Sequence, residues 1–586
     1  MNVQVPFSEQ QTSAFLPERR PLAMPVRAKD AQIAFRPLPG VPGLTRRRLA
    51  VAVAVVAIVA TLAGTMIDGL ARDGFRFVDG LLLGFYVPNV LINALAAVTA
   101  LAGLIWGRKL RRQASAPPPG WRPRSRTAVL IPARNEDVEA LGTRIAGLAR
   151  DLTQRGLGAE LDLFLLSDSD DPRAIAAEER LALKYAVSGT PGPRLYYRRR
   201  RSNEGRKPGN LGDWLRQWGG GYRFMLVLDA DSVMSARRIA SLIRRMETHP
   251  RLGMIQTAVR LTGATSRFGR LQQRAGRLYG GPFAAGLAAW TGDAGNYWGH
   301  NALVRVAAFA DAAGLPKLSG KPPFGGDILS HDFGEAAWLR RAGWAVEIDP
   351  DGAGSAEGGP ETVAEFHKRD RRWCQGNMQH LRLIGACGLH PVSRVHLALG
   401  IGGYLAAPLW LGLVVVAILA GAVDGMILPA VGAIALILAQ KAAGVLDWMA
   451  RRPGRRTRRI VLRSAFGELA LSTLLAPVIM LRQTVAVASV FAGQDCGWKP
   501  SAGSGQRAGS DEMPWLEPAI GAALLLAILP GLNDVWQIAF AMPIVLPLVA
   551  APLITAWLDL PPGRLPHAAL TRDGGGKRAA RTDAPR

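Results

Sequence analysis

Cysteine is scarce in this 586-residue chain, which contains only Cys374, Cys387 and Cys496. So few cysteines indicate neither a disulfide framework nor a thiolate zinc site. Residues 1–43 also lack the apolar stretch next to the start that a cleaved signal peptide needs, and we expect residues 1–48 to form a flexible tail. No G-x-G-x-x-G or P-loop sequence precedes a helix, so a nucleotide would have to be held in another way.

Acidic residues are also few relative to basic ones. The chain has 45 Asp and Glu but 71 Lys and Arg, which gives a net charge of +26. Such an excess could attract nucleic acid. The arginines, however, stand beside apolar segments, at 46–48, at 108–112 and, seven of them, within 451–463. Positive residues beside apolar segments are typical of the cytoplasmic loops of membrane proteins. We therefore expect a lipid bilayer, and no nucleic acid, as the partner of these charges.

Charge is almost absent from six apolar segments, and 49% of all residues are apolar. The segments are residues 49–67, 81–106, 397–423, 426–446, 518–532 and 535–557. A bilayer core of ~30 Å takes ~20 helical residues, so most of the segments are long enough to cross, while the fifth needs its flank from residue 514. The sequence predicts a polytopic α-helical membrane protein with paired spans in residues 49–106, 395–446 and 514–558.

The distribution of Lys and Arg predicts the orientation. The loops within each pair of spans carry no excess of these residues, whereas the loop 447–463 and the tail 559–586 are basic. Both termini, this loop and a large central segment are therefore predicted to be cytoplasmic.

Residues 464–493 fit this scheme less simply, because they are apolar but contain Glu468, Pro477 and Arg482. A further span there would move the basic tail outside. We interpret the segment as a helix along the cytoplasmic interface, with an extra span as the alternative.

The central segment, residues 120–390, has the pattern of an α/β domain. Apolar runs at 128–132, 161–166 and 226–228 alternate with helix-like stretches, which predicts a parallel sheet with right-handed crossovers. Asp168 and Asp170 follow the second run, and Asp229 and Asp231 follow the third. Acids repeated at the carboxyl ends of parallel strands are typical of a nucleotide site. Taken alone, the last pair could hold Mg²⁺ or Mn²⁺ at a diphosphate, or could be solvated acids at a strand end.

A series of motifs resembles the processive family 2 glycosyltransferases of the cellulose-synthase type. In chain order they are Ile131 to Glu136, Asp168 with Asp170, Lys207 to Asn210, Asp229 to Asp231, Gly299 to Asn301, Ser330 to Asp332 and Arg371 to Trp373. Within this family, Gly326 to Phe333 and Arg371 to Asn377 are most similar to the synthases of osmoregulated periplasmic glucans. The resemblance covers about residues 126–515. It implies a cytoplasmic GT-A-like domain that transfers glucose from UDP-glucose with inversion.

The resemblance implies a UDP-sugar site of nine residues, which are Pro132, Arg134, Glu136, Asp168, Asp170, Lys207, Asp229, Asp231 and Arg372. Asp229 and Asp231 would hold Mg²⁺ or Mn²⁺ at the diphosphate, with Asp231 as the more direct ligand, and Lys207 would add positive charge there. Asp168 and the backbone after Pro132 would contact the nucleotide base and its surroundings.

Inverting transfer also needs a carboxylate that removes the proton of the acceptor, and the resemblance indicates Asp332. Related enzymes have Thr-Glu-Asp where this chain has Ser330, His331 and Asp332. Replacing an acid by an imidazole is expected to lower the pKa of Asp332 or to change its hydrogen bonding. We interpret His331 as orienting the base, with a catalytic role as the alternative.

The acceptor site implied by the resemblance contains Trp373, whose flat face suits the C–H face of a glucose ring. His300 and Asn301 would lie beside it. The alternatives are a tryptophan at the membrane interface and a histidine satisfied by the backbone. The Q-x-x-R-W motif of the family is incomplete, since Arg369 stands in place of glutamine and Gln375 follows the tryptophan.

Residues 494–513 follow the interface segment and include Trp498 and Lys499. By position they match the gating loop that covers the donor site in cellulose synthase, where closure would exclude water. A plain cytoplasmic connector is the alternative.

The sequence therefore predicts an inner-membrane glucosyltransferase that extends a β-glucan, β-1,2-linked by resemblance, and passes it to the periplasm. Its partners would be UDP-glucose, the growing glucan and the bilayer, and the resemblance adds a periplasmic glucan-processing protein and an acyl carrier protein as candidates. Two alternatives stay open: a transferase that glycosylates a membrane lipid without translocation, and an inactive scaffold that senses nucleotide sugars. The intact acids at 168, 229, 231 and 332 argue against the scaffold.

Overall fold

The computed structural model describes residues 16–31, 37–71, 74–113, 117–118, 120–187, 192–496, 515–529 and 535–561. Two apolar helices, α1 (Leu44–Leu70) and α2 (Phe77–Gln113), precede an α/β domain, and further apolar helices follow it. This is the predicted combination of membrane helices and an α/β domain.

Strands and helices alternate along the domain, as the sequence predicts. Its first half comprises β1 (Thr127–Ala133), α3 (Val138–Gln154), β2 (Leu161–Ser167), α4 (Pro172–Val187), β3 (Arg194–Arg199), α5 (Arg206–Trp218), β4 (Phe224–Val227), β5 (Val233–Met234) and α6 (Ala236–Thr248). Its second half comprises β6 (Leu252–Thr257), β7 (Arg260–Thr262), α7 (Arg267–Thr291), β8 (Ala302–Arg305), α8 (Val306–Ala312), α9 (His331–Arg341), β9 (Ala345–Asp349), β10 (Ser355–Gly358) and α10 (Val363–Gln379).

The main sheet has seven strands in the order β3-β2-β1-β4-β8-β6-β9. Neighbouring strands are parallel except at β8, which runs antiparallel to β4 and β6. Alternate residues of β1 enter different cores, Val129 on one face and Leu130 on the other, because helices cover both faces of the sheet. The carboxyl ends of β2, β1 and β4 consequently meet at one edge, where the predicted site residues follow the strands.

A second, three-stranded sheet adjoins the end of β4. Its order is β5-β10-β7, with β10 antiparallel to β5 and parallel to β7. Since β5 begins at Val233, this sheet holds the chain immediately after the Asp229–Asp231 pair.

The apolar helices after the domain are α11 (Pro391–Leu419), α12 (Val423–Ala450), α13 (Arg455–Phe491), α14 (Leu516–Ile528), α15 (Val535–Val549) and α16 (Ala551–Asp559). Among the described residues, α1, α2, α11, α12 and α13 are each long and apolar enough to cross a membrane. Helices α1, α2 and α12 contain the first, second and fourth predicted spans, and α11 covers residues 397–419 of the third. The fifth helix, α13, covers residues 464–491 of the predicted segment 464–493, whose interfacial position stays a prediction.

The last predicted pair of spans differs from the expectation of two simple helices. Within the described residues, α14 is 13 residues long, fewer than the ~20 that a bilayer requires. Helices α15 and α16 meet at a bend of 60°. Pro552 lies at the start of α16 and has no amide to donate, so a continuous helical hydrogen-bond ladder is lost there.

Helix α7 fastens the α/β domain to the membrane helix α2. A Cβ at Gly286 of α7 would lie 1.7 Å from the carbonyl oxygen of Thr99, and one at Gly103 of α2 would lie 1.8 Å from that of Pro282. The two backbones therefore touch, and only glycine permits this approach. The indole of Trp290 also donates to Thr99 Oγ1 (3.3 Å).

Part of the segment expected to be a flexible tail is packed against the domain instead. The indole of Trp218, at the end of α5, donates to the carbonyl of Pro17 (3.2 Å), and that of Trp338, on α9, donates to the carbonyl of Arg27 (3.0 Å). Buried indoles need an acceptor, and residues 16–31 supply it. The segment thus braces α5 and α9, whose first turns carry Lys207 and Asp332.

Candidate active site

The acidic pair after β4 lies on a tight turn. The strand ends at Val227, and the amide of Ser232 donates to the carbonyl of Asp229 (2.9 Å). Asp229 forms an ion pair with Lys207 of α5 and keeps 38% of its side-chain surface exposed. Burial acts to raise the pKa of Asp229, but the charges of Lys207 and His300 outweigh it and hold the pKa below its usual value. One acid of the pair is therefore already matched by a positive charge.

Asp231 lies against β10, where a Cβ on Gly358 would be 3.3 Å from its Oδ2 atom. Burial and the neighbouring charge of Asp229 raise the pKa of Asp231. Burial, together with both aspartates, also raises the pKa of Glu136 to about 7. Glu357 of β10 adds a further carboxylate, 3.1 Å from Nε2 of His300. The site thus concentrates negative charge, which favours a bound cation.

The described part of the chain contains no group of three His, Cys, Asp or Glu side chains arranged to hold a metal ion by itself. Mg²⁺ is commonly bound through one or two carboxylates plus the phosphates of a substrate. Asp229 and Asp231 fit that donor set, in which the other ligands come from phosphate and water.

Asp332 lies in the first turn of α9 and borders the same space. A Cβ on Gly299 would be 3.7 Å from Asp332 Oδ2 and 3.9 Å from Lys207 Nζ. The backbone of Gly299 has φ +87°, which glycine tolerates, and so it can pass close to both groups.

The charge of His331 acts to lower the pKa of Asp332, in the direction expected from the exchange of an acid for an imidazole. Burial raises the pKa of Asp332, and the opposing charge of His331 does not outweigh it. Glu335, one helical turn further along α9, lies 2.9 Å from Nδ1 of His331. Burial acts to lower the pKa of His331, yet the charge of Glu335 and its hydrogen bond raise it. His331 therefore faces Glu335, and the i, i+4 spacing was the sequence signal for that pair.

The residues expected at the nucleotide base form a polar cluster at the ends of β1 and β2. Asp168 accepts two hydrogen bonds of 2.7 Å from Arg200, which follows β3. Arg134 donates to Asp170 (2.9 Å), as does the side-chain amide of Asn135 (2.6 Å). Pro132, which was predicted to border the nucleotide, is the penultimate residue of β1. Sequence reasoning missed Arg200, whose only signal was its place immediately after a strand.

The predicted acceptor residues occupy three different environments. Trp373 on α10 is 43% exposed, so its ring is open to a ligand. His300 lies between Ser232 Oγ (3.4 Å) and Glu357. Asn301 is fully buried and donates to Ser355 Oγ (2.9 Å), so its amide holds β10 in place.

Arg372 and Gln375 flank the exposed tryptophan. Burial lowers the pKa of Arg372, and the nearby Arg369 adds to this effect. The buried amide of Gln375 donates to Asp495 Oδ1 (2.8 Å) and accepts from the amide of Cys496 (2.8 Å). Gln375 therefore fastens the chain after α13 to the helix that carries Trp373. Trp498 and Lys499, expected in a gating loop, lie outside the described residues.

Two family models match this part of the chain. Residues 128–312 match "Glycosyl transferase family 2", and residues 224–486 match "Glycosyl transferase family group 2". The glucans biosynthesis glucosyltransferase H of Rhodopseudomonas palustris strain BisA53 is 38% identical over 583 residues, which cover 92% of this chain and 80% of the relative. The glucans biosynthesis glucosyltransferase H of Xanthomonas campestris pv. campestris strain B100 is 39% identical over 516 residues, which cover 82% of this chain and 80% of the relative. The chain belongs to the glucans biosynthesis glucosyltransferase H family.

Membership makes the protein a glucosyltransferase of glucan synthesis, as the sequence predicted. Among solved structures, the chain matches the mannosyltransferase PcManGT from Pyrobaculum calidifontis in complex with GDP-Man and Mn²⁺. The match has a TM-score of 0.40 and 16% identity, and covers 65% of this chain and 98% of the other.

The buried pair of Asp168 and Arg200 leads to a prediction for the nucleotide side of the site. Arg200→Met should lower stability by about 3–5 kcal/mol, because it leaves the Asp168 charge buried without a partner. Thermal unfolding in detergent measures the loss. Adding Asp168→Asn should restore part of the stability, because it removes the unpaired buried charge. A double variant no more stable than Arg200→Met would contradict the pairing.

Proposed function

We propose that this glucosyltransferase is an inverting, UDP-glucose-dependent enzyme of the bacterial inner membrane that extends a β-1,2-linked glucan and passes it to the periplasm. The observation that carries the proposal is the convergence at Gly299, which lies beside both Asp332 and Lys207. Lys207 is in turn paired with Asp229. A candidate base and candidate diphosphate ligands thus border one space, as transfer from a nucleotide sugar requires.

The donor diphosphate would lie over the Asp229–Asp231 turn. The raised pKa of Asp231 marks an acid whose charge lacks a sufficient counterion, and this fits a divalent cation. Asp229 and Asp231 would hold Mg²⁺ or Mn²⁺, and the chemistry that this ion supplies when bound is neutralisation of charge on the departing UDP. Lys207 would hold the diphosphate from the α5 side. Asp168, Arg134 and Glu136 would border the uridine and its ribose.

Asp332 would remove the proton from the acceptor hydroxyl as this oxygen attacks the anomeric carbon. Burial raises the pKa of Asp332, which makes its carboxylate a stronger base than that of an ordinary aspartate. Trp373 would support the ring of the terminal acceptor sugar, with His300 beside it.

Translocation of the glucan is supported by polar contacts between α10 and α11 and among the apolar helices that follow. Asp370, three residues before Trp373, accepts a hydrogen bond from Tyr404 of α11 (3.0 Å). Arg482 of α13 forms an ion pair with Glu517 of α14, and both side chains are largely buried. Polar groups between apolar helices are costly and usually serve a hydrophilic substrate, which here would be the glucan.

The proposed orientation can be tested at the basic loop. A phosphatase reporter that is active only in the periplasm, inserted after Gly454 with the rest of the chain retained, should be inactive, because seven arginines within 451–463 favour the cytoplasmic side. A fusion at the Ala420–Gly421 joint between α11 and α12 is the matched control and should be active. Activity at Gly454 would reverse the orientation.

The role of Asp332 predicts separate effects on binding and on chemistry. Asp332→Asn should lower turnover of UDP-glucose by about 10²–10⁴-fold, since general-base assistance is lost. UDP affinity should stay within about twofold of the parent, because the change is nearly isosteric. Asp327→Asn, at a carboxylate only weakly paired with Lys317 (3.8 Å), is the control and should keep its activity. Near-normal turnover by Asp332→Asn would rule out the assignment.

The role of Asp231 predicts a metal-specific defect. Asp231→Ala should weaken UDP binding in the presence of Mg²⁺ or Mn²⁺ by at least about tenfold, because a carboxylate ligand is removed. With EDTA present, the variant and the parent should bind UDP alike. Isothermal titration with and without the chelator measures both values. Equal metal-dependent affinity in the two proteins would contradict the proposed ligand.

A further inference from the structure

A cavity of about 990 Å³ lies between the α/β domain and the membrane helices. Its walls come from α3, the three-stranded sheet, α7 and the end of α12, and it reaches Asp229 and His300. The segment Trp298–His300 separates it from the candidate base: Trp298 and His300 line the cavity, whereas Gly299 faces Asp332. The cavity therefore adjoins the candidate active site and shares Asp229 and His300 with it, while α3, α7 and the end of α12 line only the cavity.

The glycines within helices that line this cavity include three, Gly147 of α3 and Gly276 and Gly280 of α7, at which side-chain space can be assessed. Within the described part of the chain, a Cβ at any of the three would meet no atom within 4 Å. Gly286 of the same helix α7 differs, because there a Cβ would strike Thr99. Glycine inside a helix costs stability relative to alanine. At the three cavity positions neither packing nor a positive φ accounts for that cost, and their effect is to keep the space open.

Several charged or polar groups on the walls have partners within the protein. Arg451 pairs with Asp447 (2.6 Å), and His300 lies 3.1 Å from Glu357. Arg144 donates to the carbonyl of Ala230 (2.9 Å). An ionic ligand would have to compete with these partners, whereas a neutral ligand with hydroxyl groups could use their remaining donor and acceptor sites.

Two tryptophans, Trp298 and Trp448, also line the cavity. The apolar faces of these indole rings suit the C–H faces of a sugar, while the N–H of Trp448 already donates to the carbonyl of Arg277 (3.2 Å). Cavities of roughly 300–1,000 Å³ hold ligands of several rings. Size, charge and aromatic content all favour an oligosaccharide over a single ion.

We propose that this cavity binds a neutral saccharide, a segment of the glucan, at a site distinct from the acceptor position at Trp373. The identity of the saccharide rests on the proposed function, in which the protein makes a β-1,2-linked glucan. Occupancy would place sugar against Trp298 and His300, on the opposite side of Gly299 from Asp332.

Isothermal titration with a β-1,2-linked glucose tetrasaccharide tests the site, using protein in zwitterionic nanodiscs. All variants carry Trp373→Ala, so that the acceptor position does not contribute. Adding Gly280→Phe should weaken binding at least about tenfold by filling the space. Gly280→Ala adds only a methyl group and should bind as its parent does. Gly147→Phe, on the opposite wall, should repeat the loss.

Unchanged affinity in both phenylalanine variants would overturn the inference. Binding of glycerol phosphate in place of the tetrasaccharide would also overturn it, and would indicate a lipid headgroup. Gly280→Phe in the otherwise unchanged chain should release UDP from UDP-glucose within about twofold of the parent rate, which verifies folding. Absence of UDP release by the parent would contradict the proposed function, whereas the titration reports on the cavity alone.

Discussion

The ion pair between Lys207 and Asp229 joins the parts of the molecule on which the active site depends. It connects the first turn of α5 to the turn after β4, and it requires β4 to stop at Val227. The amide of Leu228 makes the last contact with β1, at the carbonyl of Leu130 (3.0 Å), and the chain is then free to turn. Lys207 also lowers the pKa of Asp332, although burial of Asp332 prevails. One ammonium group therefore influences both the donor side and the candidate base.

The segment from Tyr297 to Asn301 is the second constraint, because it forms the wall that the site and the cavity share. The side-chain amide of Gln256, on β6, makes two hydrogen bonds to the backbone of this segment. It accepts from the amide of Trp298 (2.9 Å) and donates to the carbonyl of His300 (3.0 Å). The hydroxyl of Tyr297 donates to the carbonyl of Gly299 (2.7 Å). These three hydrogen bonds fix the backbone of the segment and so set the positions of His300 on one side and of Gly299 on the other.

Much of the fold could be predicted because its signals are local. The buried runs at β1, β2 and β4 and four of the long apolar helices have patterns that do not depend on distant residues. The resemblance to family 2 glycosyltransferases predicted the acids of the site, at 168, 229, 231 and 332. Arg200 at Asp168 and Gln375 at Asp495 were beyond prediction, since each contact joins elements far apart in the chain. The bend between α15 and α16 was also missed, because a hydropathy pattern does not report a break caused by proline.

His331 shows why one motif position is a poor guide to the charge of a site. Exchanging an acid for an imidazole at this position would leave the surroundings of Asp332 with one negative charge fewer, provided that no other acid lay nearby. Glu335 lies one turn away on the same helix and faces His331, so the acid absent from the motif is present in space. The opposing effects of His331 and Glu335 on the pKa of Asp332 partly cancel, and burial then decides its direction. A substitution inside a helical motif therefore has to be interpreted together with the residues three and four positions away.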